Sequence, residues 1–196
     1  MTAVLISLIG PPASGKTTLA EALAVELSGK LIREDYAGNP FLAESYLGSG
    51  SARLPGQLYF LMSRVSQLWA GSWPGDGLFV SDYGFCQDRV YAKARLGNED
   101  FALYDRLAAR VETLVHPADV VVCLDAPTDT LLERIAARGR VHESAMTREF
   151  LDGMRREYGR IASEARCPII TVDTERTDPR DAGGLAQLAR EIRAKL

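Results

Sequence analysis

The sequence predicts an α/β fold in which five parallel strands form one open sheet with helices on both faces. Short continuous apolar runs, typical of strands buried on both faces, alternate with segments that repeat apolar residues at helical spacing. No linker, repeat or low-complexity tract interrupts this alternation, and a length of 196 residues favours one domain over 1–196. Such an order of elements gives a three-layer α/β/α sandwich with right-handed crossovers.

The first half of the chain supplies two strands and two helices. Residues 3–9 are continuously apolar, too short for a helix and ended by Gly10, so they are predicted as a buried strand. Leucines at helical spacing predict a helix at 16–27. A short strand at 31–32 precedes a turn-rich segment, and helical periodicity returns at 57–69.

The second half repeats the alternation and completes the sheet. The remaining strands are predicted at 78–81, 120–124 and 169–172, and the remaining helices at 101–115, 130–138, 148–165 and from 184 onward. Ligands bind beyond the carboxyl ends of strands in an open parallel sheet. The residues that follow Ile9, Ile32, Val80 and Leu124 are therefore expected to form the site.

Composition and charge exclude several classes of protein. The formal net charge of −3 disfavours a broad nucleic-acid surface, and no apolar run reaches the roughly 20 residues that span a bilayer. The first ten residues carry no Lys or Arg, unlike a signal peptide. Cys86, Cys123 and Cys167 are widely spaced without a metal-ligand pattern, which indicates small core residues in a reducing compartment. A cytoplasmic protein that binds neither nucleic acid nor membrane is predicted.

A phosphate-binding loop follows the first strand directly, because residues 10–17 fit the pattern G-x-x-x-x-G-K-[ST]. Backbone N–H groups of such a loop face phosphate oxygens, Lys16 reaches the β- and γ-phosphates, and the Thr17 hydroxyl can ligate Mg²⁺. The predicted cofactors are ATP and Mg²⁺. The predicted nucleotide-binding residues are Gly10, Pro11, Pro12, Ala13, Ser14, Gly15, Lys16, Thr17 and Thr18. The competing interpretation is a glycine turn with an incidental lysine.

The loop alone leaves open what happens to the phosphate. A GTPase-like switch should carry an N-K-x-D segment, and no Asn-Lys pair occurs in the chain. An ATP-driven motor usually needs a larger chain. The size therefore favours a kinase that phosphorylates a small molecule.

Two carboxylates follow strands at the predicted site edge. Asp82 can hold the metal together with Thr17 and orient an attacking hydroxyl, although it could instead cap the next helix. Glu34 can accept the proton of an acceptor hydroxyl, although Glu in a polar turn is usually solvated. For Asp125, a helix cap is the favoured role.

Three arginines indicate a lid over the transferring phosphate. Arg134 and Arg138 share a helix face, and Gly139 breaks that helix before Arg140. Guanidinium groups on a helix end and a flexible loop suit a closing lid. An exposed basic face paired with acidic neighbours is the alternative.

Four sequence segments, by their order and spacing along the chain, resemble a known family. These are 34–42, 57–64, 82–89 and 132–140, and the likeness runs from the phosphate loop to about Tyr158. The chain resembles the deoxyribonucleoside kinases, in particular the bacterial deoxyadenosine/deoxyguanosine kinase branch. The resemblance implies ATP-dependent phosphorylation of a purine deoxyribonucleoside at its 5′-hydroxyl, in nucleotide salvage, by a homodimer.

The resemblance also implies roles for particular residues. Glu34 would be the general base, and Arg134, Arg138 and Arg140 would be the lid arginines. Three residues would read the nucleobase and two would hold the sugar 3′-hydroxyl: Gln57, Arg64 and Asp88, then Tyr46 and Glu143. Gln offers a donor and an acceptor in one plane, and two helical turns separate Gln57 from Arg64. A solvent-facing polar stripe is the alternative for that pair.

The chain departs from the family pattern after the third strand. Tyr83 stands where the family usually has an arginine that helps to organise the base and phosphate, so a lid arginine or Arg89 is expected to replace it. A shorter spacing after Asp88 argues against a stacking role for Tyr91.

Three other functions stay open. One is a deoxycytidine kinase, and another is a thymidylate-kinase-like nucleoside monophosphate kinase with an acceptor-phosphate pocket from Arg53 and Arg64. The third is a regulatory nucleotide-binding module without transfer activity, for which Tyr83 is the best argument.

The contacts of the homodimer that the resemblance implies are expected to include residues 57–69.

Overall fold

The computed structural model describes residues 3–48, 50–165, 167–176, 178 and 181–196. Within these ranges the chain forms five strands and eight α-helices. The strands are β1 (Val4–Ile9), β2 (Lys30–Ile32), β3 (Leu78–Ser81), β4 (Val120–Asp125) and β5 (Ile169–Asp173). The helices are α1 (Lys16–Glu26), α2 (Leu42–Leu47), α3 (Arg53–Gln67), α4 (Gln87–Arg95), α5 (Asn98–Glu112), α6 (Thr128–Arg138), α7 (Arg148–Glu164) and α8 (Ala182–Arg193).

The five strands form one parallel sheet in the order β2-β3-β1-β4-β5, which confirms the predicted fold class. β1 lies in the middle, so its apolar side chains are covered on both faces: Ile6 and Leu8 pack with α1 and α8, whereas Leu5 and Ile9 face the other layer. This burial explains why β1 reads as a continuous apolar run rather than an alternating one. The arrangement brings the carboxyl ends of β2, β3, β1 and β4 to one edge.

Two helices lie outside the elements expected from the sequence. α2 has only six residues, and α4 is short and mostly polar, so neither carries a strong apolar repeat. α3 begins at Arg53, four residues before the predicted start, and includes Pro55. Proline is tolerated in the first turn of a helix because the N–H it lacks would have no helical partner there.

The cysteines match the predicted core role only in part. Cys123 is buried in β4, whereas Cys86 and Cys167 are partly exposed at the margin of the same apolar cluster. All three are free thiols. Over the described ranges, no helix is long and apolar enough to cross a membrane.

Candidate active site

The phosphate loop joins β1 to α1 through an unusual backbone. Gly10, Ala13 and Gly15 have φ angles of 148°, 60° and 94°. Glycine adopts positive φ angles far more readily than other residues, and at Gly10 a Cβ atom would also lie 2.4 Å from the carbonyl oxygen of Leu124. The loop therefore packs closely against β4 and presents the N-terminus of α1 to the site.

Lys16 is folded back onto the loop. Its Nζ donates to the carbonyl oxygens of Gly10 and Pro11 at 2.8 and 2.9 Å. Burial lowers the pKa of Lys16 to about 7, against a partial opposing effect of Asp82. The ammonium is thus desolvated and held where incoming phosphate oxygens can replace the carbonyls.

Thr17, Glu34 and Asp82 meet at the site edge. The Thr17 hydroxyl donates to Asp82 Oδ2 at 2.7 Å, and the backbone N–H of Glu34 donates to Asp82 Oδ1 at 2.8 Å. Burial raises the pKa of Asp82, while the bond from Thr17 opposes that change. Asp82 thus joins the phosphate loop to the segment after β2, and it does not cap a helix.

Arg64 joins two carboxylates in the interior. Its guanidinium forms ion pairs with Glu34 and with Asp88, and all three side chains are at most 4% exposed. Glu34 is consequently not a solvated turn residue. Gln57 is also buried, so the alternative of a solvent-facing stripe for Gln57 and Arg64 is wrong.

A cavity of about 350 Å³ lies beside the loop and brings most of the predicted residues together. Its lining includes predicted residues from the phosphate loop, the base-reading set and the lid: Pro12, Ala13, Gly15, Lys16, Thr17, Thr18, Glu34, Tyr46, Gln57, Arg64, Asp88, Arg138, Arg140 and Glu143. Gly10, Pro11, Ser14 and Asp82 stand behind this wall.

Several lining residues were not predicted. They are Glu21, Tyr36, Leu42, Phe60, Gln87, Tyr91 and Met146. Most are aromatic or apolar, and their spacing does not distinguish a cavity wall from a core. Tyr91 lines the cavity, and the expectation that it does not stack on a base stays a prediction.

The lid arginines divide into two groups. Arg138 and Arg140 reach the cavity, where both donate to Glu143 at 3.0 and 3.3 Å. Arg134 does not line it and instead donates to Thr174, at 2.9 Å to Oγ1 and 2.7 Å to the carbonyl oxygen. Two of the three predicted lid arginines therefore face the site.

Three other predictions concern residues around the cavity. Arg89 pairs with Asp105 and Glu112 on the far side of α4, so the expectation that it replaces the missing arginine is wrong. Arg53 lines a neighbouring cavity. Asp125 does not cap α6, because it accepts two hydrogen bonds from Arg155.

A phosphate loop, a neighbouring polar cavity and two arginines at the C-terminal end of α6 and just after it define the class of protein as a phosphotransferase with a P-loop fold. Residues 6–192 match the family model for deoxynucleoside kinases. The chain therefore belongs to the deoxynucleoside kinase family and is a kinase of that kind.

Curated relatives span most of the chain. The deoxyadenosine kinase of Dictyostelium discoideum is 28% identical over 97% of this chain and 78% of its own length. The deoxyadenosine/deoxycytidine kinase of Bacillus subtilis (strain 168) is 29% identical over 89% of this chain and 84% of its own. The deoxyguanosine kinase of the same strain is 26% identical, with 90% and 89% covered.

A solved structure supports the fold. The deoxyadenosine kinase from M. mycoides, with dCMP and a flexible dCDP bound, superposes with a TM-score of 0.83 at 20% identity. The match covers 97% of this chain and 99% of that chain. The three-layer arrangement around the five-stranded sheet is thus that of a known kinase fold.

Proposed function

We propose that the chain transfers the γ-phosphoryl group of ATP to the 5′-hydroxyl of a purine deoxyribonucleoside, using Mg²⁺. The observation that carries this proposal is the buried bridge from Glu34 through Arg64 to Asp88, inside the cavity beside the phosphate loop. One end of the bridge provides a proton acceptor and the other a contact for a nucleobase. The deoxynucleoside monophosphate that is formed would be a product of nucleotide salvage.

The polar end of the cavity suits a base with an exocyclic amino group. Asp88 Oδ2 is buried and has no hydrogen-bond partner among the described residues, so it can accept from an amino N–H. The Gln57 amide lines the same cavity and provides both a donor and an acceptor. The names of all three curated relatives include deoxyadenosine or deoxyguanosine, which supports the purine preference.

Deoxycytidine is the second candidate substrate. Cytosine also carries an amino group that Asp88 can accept from, and one relative is named deoxyadenosine/deoxycytidine kinase. Thymine has a carbonyl at that position, which would place two acceptors against each other. Thymidine is therefore expected to be a poor substrate.

The chain's own residues contribute positioning and part of the charge stabilisation. Glu34 takes the 5′-hydroxyl proton, and Tyr46 and Glu143 hold the 3′-hydroxyl at the wall formed with α2 and the lid. Lys16, Arg138 and Arg140 offset the negative charge on the transferring group. Their present partners, two carbonyls and Glu143, are released as the phosphates enter.

The residues at the loop fit Mg²⁺. The Thr17 hydroxyl and the Asp82 carboxylate are adjacent at 2.7 Å, and Mg²⁺ usually binds one or two such protein oxygens together with substrate phosphates. In the part of the chain that the structure describes, no cluster of three or more acidic, His or Cys ligands exists that would hold a metal alone. When bound, the ion would neutralise charge on the β- and γ-phosphates.

The structure disfavours two rival functions. A monophosphate kinase needs free arginines for the acceptor phosphate, but Arg64 is committed to two carboxylates and Arg53 lies outside the cavity. A regulatory module without transfer activity needs no buried carboxylate at Glu34, yet Asp82 and Arg64 both fix that residue.

The proposed function is tested by an ATP- and Mg²⁺-dependent phosphorylation assay. Deoxyadenosine, deoxyguanosine, deoxycytidine and thymidine are run beside the corresponding monophosphates. We expect 5′-monophosphate from at least one purine deoxynucleoside, with a higher kcat/KM than for deoxycytidine. Turnover of deoxycytidine alone would replace the purine assignment, and turnover of monophosphates alone would refute acceptor phosphorylation at the 5′-hydroxyl.

The proposal also includes a setting for the enzyme. A cytoplasmic location fits three free thiols, which reducing conditions maintain. A net charge of −3 fits an enzyme that acts on free nucleosides rather than on nucleic acid. The proposed assembly is a homodimer through exposed apolar side chains of α3 and α5.

A further inference from the structure

The residue after Asp82 lies directly behind the site. Tyr83 is fully buried, and its hydroxyl donates to Gln67 Oε1 at 2.6 Å. The guanidinium carbon of Arg64 lies 5.1 Å from the centre of the Tyr83 ring. A phenol ring at this distance attracts a cation through its π face and also fixes the cation's position.

Arg64 is held from several sides. Phe60 lies 5.7 Å from the guanidinium carbon, and Glu34 and Asp88 form the two ion pairs. Burial lowers the pKa of Arg64, which reflects how completely water is removed from the group. A guanidinium in such surroundings depends on its neighbours for orientation, because solvent offers no alternative partners.

Asp82 and Tyr83, which are adjacent in the chain, thus both contribute to the position of Glu34. Asp82 holds the backbone of Glu34 through its N–H at 2.8 Å, while Tyr83 supports the arginine that holds the Glu34 side chain. Arg134 donates to Thr174, and Arg138 and Arg140 donate to Glu143. Arg64 already contacts both Glu34 and Asp88, so it is the arginine best placed for the role that the family pattern leads us to expect at position 83.

We infer that Tyr83 is a positioning residue that orients Glu34 through Arg64, so that Arg64 replaces the arginine expected at position 83. The inference rests on the proposed role of Glu34 as general base. It has a consequence for the reaction: since one guanidinium binds both Glu34 and Asp88, orientation of the proton acceptor depends on the nucleobase contact.

Tyr83→Leu and Tyr83→Phe separate the ring from the hydroxyl. We expect Tyr83→Leu to lower kcat about tenfold, because a misplaced catalytic group loses much of the advantage of proximity. The KM for ATP should stay within about twofold, since the phosphate loop is untouched. Tyr83→Phe keeps the ring over Arg64, so its kcat should remain within about threefold of the unmodified enzyme.

A double-mutant cycle tests whether the effect passes through Arg64. Asp88→Asn removes one ion pair of Arg64, so Tyr83→Leu should reduce kcat less in that background than in the unmodified enzyme. Additive effects would overturn the inference, because a purely structural tyrosine acts independently of Asp88. If Tyr83→Leu does not fold, as judged by thermal unfolding, Tyr83→Met provides a flexible side chain without a π face.

Glu34→Gln distinguishes failure of the proposed base, Glu34, from failure of the positioning role of Tyr83. Loss of turnover in Glu34→Gln, with unchanged kcat in a folded Tyr83→Leu variant, would overturn the positioning role and leave the proposed base intact. Unchanged turnover in Glu34→Gln would remove the base, and the positioning role with it. Glu164→Gln, an exposed change at the end of α7, is the matched control.

Discussion

The cations of the site already have protein partners before any ligand enters. Lys16 donates to carbonyl oxygens of its own loop, whereas Arg138 and Arg140 bind Glu143. Binding of phosphates therefore exchanges one set of hydrogen bonds for another, so the net gain in free energy is smaller than the new bonds to phosphate alone would give.

The lowered pKa of Lys16 predicts proton uptake when ATP binds. At pH 8 the side chain is mostly neutral in the free enzyme, because its pKa is about 7, and neighbouring phosphates favour its charged form. We expect most of one proton to be taken up per site at pH 8. Calorimetry in two buffers with different ionisation enthalpies measures this uptake.

Two variants identify the source of that proton. Lys16→Arg should abolish the buffer dependence, since arginine stays charged at pH 8. Lys93→Met changes an exposed lysine that pairs with Glu157 and should leave the uptake intact. A binding enthalpy that is identical in both buffers for the unmodified enzyme would contradict the assignment.

The same pKa fixes the direction of a stability effect. The unfolded chain, with Lys16 at its ordinary value of 10.5, binds more protons than the folded chain between about pH 7 and 10.5. Burial of Lys16 therefore lowers the free energy of unfolding by its full amount below about pH 7. The free energy of unfolding rises again as the pH increases through this window.

Individual residues were predictable where a motif fixes the backbone around them. Lys16 and Thr17 follow from the spacing of the phosphate loop alone. The positions of Phe60 and Tyr91 at the cavity were not predictable. An aromatic side chain at helical spacing is interpreted as a core residue, whether it borders a cavity or a neighbouring helix. The contact of Tyr83 with Arg64 joins two segments that are distant in the sequence, so no local pattern predicts it.

At the scale of elements, the β1–α1 turn depends on a glycine at its first position. Gly10→Ala places a Cβ atom 2.4 Å from the Leu124 carbonyl oxygen, at a φ angle that alanine rarely adopts. We expect the KM for ATP to rise at least tenfold, or the thermal midpoint to fall, since the loop or β4 must shift. Steady-state kinetics and thermal unfolding measure these effects.

A glycine within α7 provides the matched control. At Gly153 a Cβ atom would meet only Arg156 Nη2, at 3.9 Å. Gly153→Ala should raise the free energy of unfolding by about 0.5–1 kcal/mol, because alanine loses less backbone entropy in a helix interior, and should leave the KM for ATP unchanged. An unaltered KM in Gly10→Ala would show that the loop tolerates the added atom.

Elements with a strong apolar repeat were the predictable ones. β3 has the predicted bounds, and the other strands and most long helices differ by only a few residues at their ends. α4 was missed because its burial comes from contacts with α3, α5 and α7 rather than from its own periodicity. Tertiary packing thus decides the short polar helices.

At the scale of the whole molecule, α3 and α5 expose an apolar surface. Met62, Leu103 and Leu107 have exposed fractions of 50%, 48% and 38%. Trp69 and Leu114 are also exposed and lie just beyond the two helices, where the Ala70 N–H donates to the Leu114 carbonyl oxygen. Leu103 and Leu107 lie one helical turn apart and share a face. Because α3 and α5 pack against each other, exposed apolar side chains on both helices are suited to an interface.

We expect the protein to be a homodimer through this surface. Light scattering after size-exclusion chromatography should give twice the chain mass of 21.4 kDa. The double change Leu103→Glu and Leu107→Glu should give the monomer mass, because buried unpaired carboxylates oppose association. Val25→Glu, at a residue 82% exposed on α1, should leave the dimer intact; a monomer for the unmodified chain would refute the expectation.

The overall architecture was predictable because every strand but the short β2 carries its own burial signal. The order of the strands was not, since apolar runs give no pairing partner. The site was predictable as an edge of the sheet, whereas its internal ion pairs required the structure. A guanidinium that joins Glu34 and Asp88 connects positions 54 residues apart in the chain, and no local pattern records that connection.

The central position of β1 has a consequence for synthesis of the protein. β1 and its phosphate loop are synthesised before β3 and β4, yet β1 pairs with β3, where Val4 lies opposite Leu78, and with β4, where Leu8 lies opposite Val122. Parallel pairings over such sequence separations form late and slowly. A nascent chain that carries the whole loop motif therefore lacks the two strands that hold the loop in shape. Cellular ATP can therefore stabilise the loop only after β4 has been synthesised and paired with β1, so ATP binding favours molecules whose central strands are already assembled.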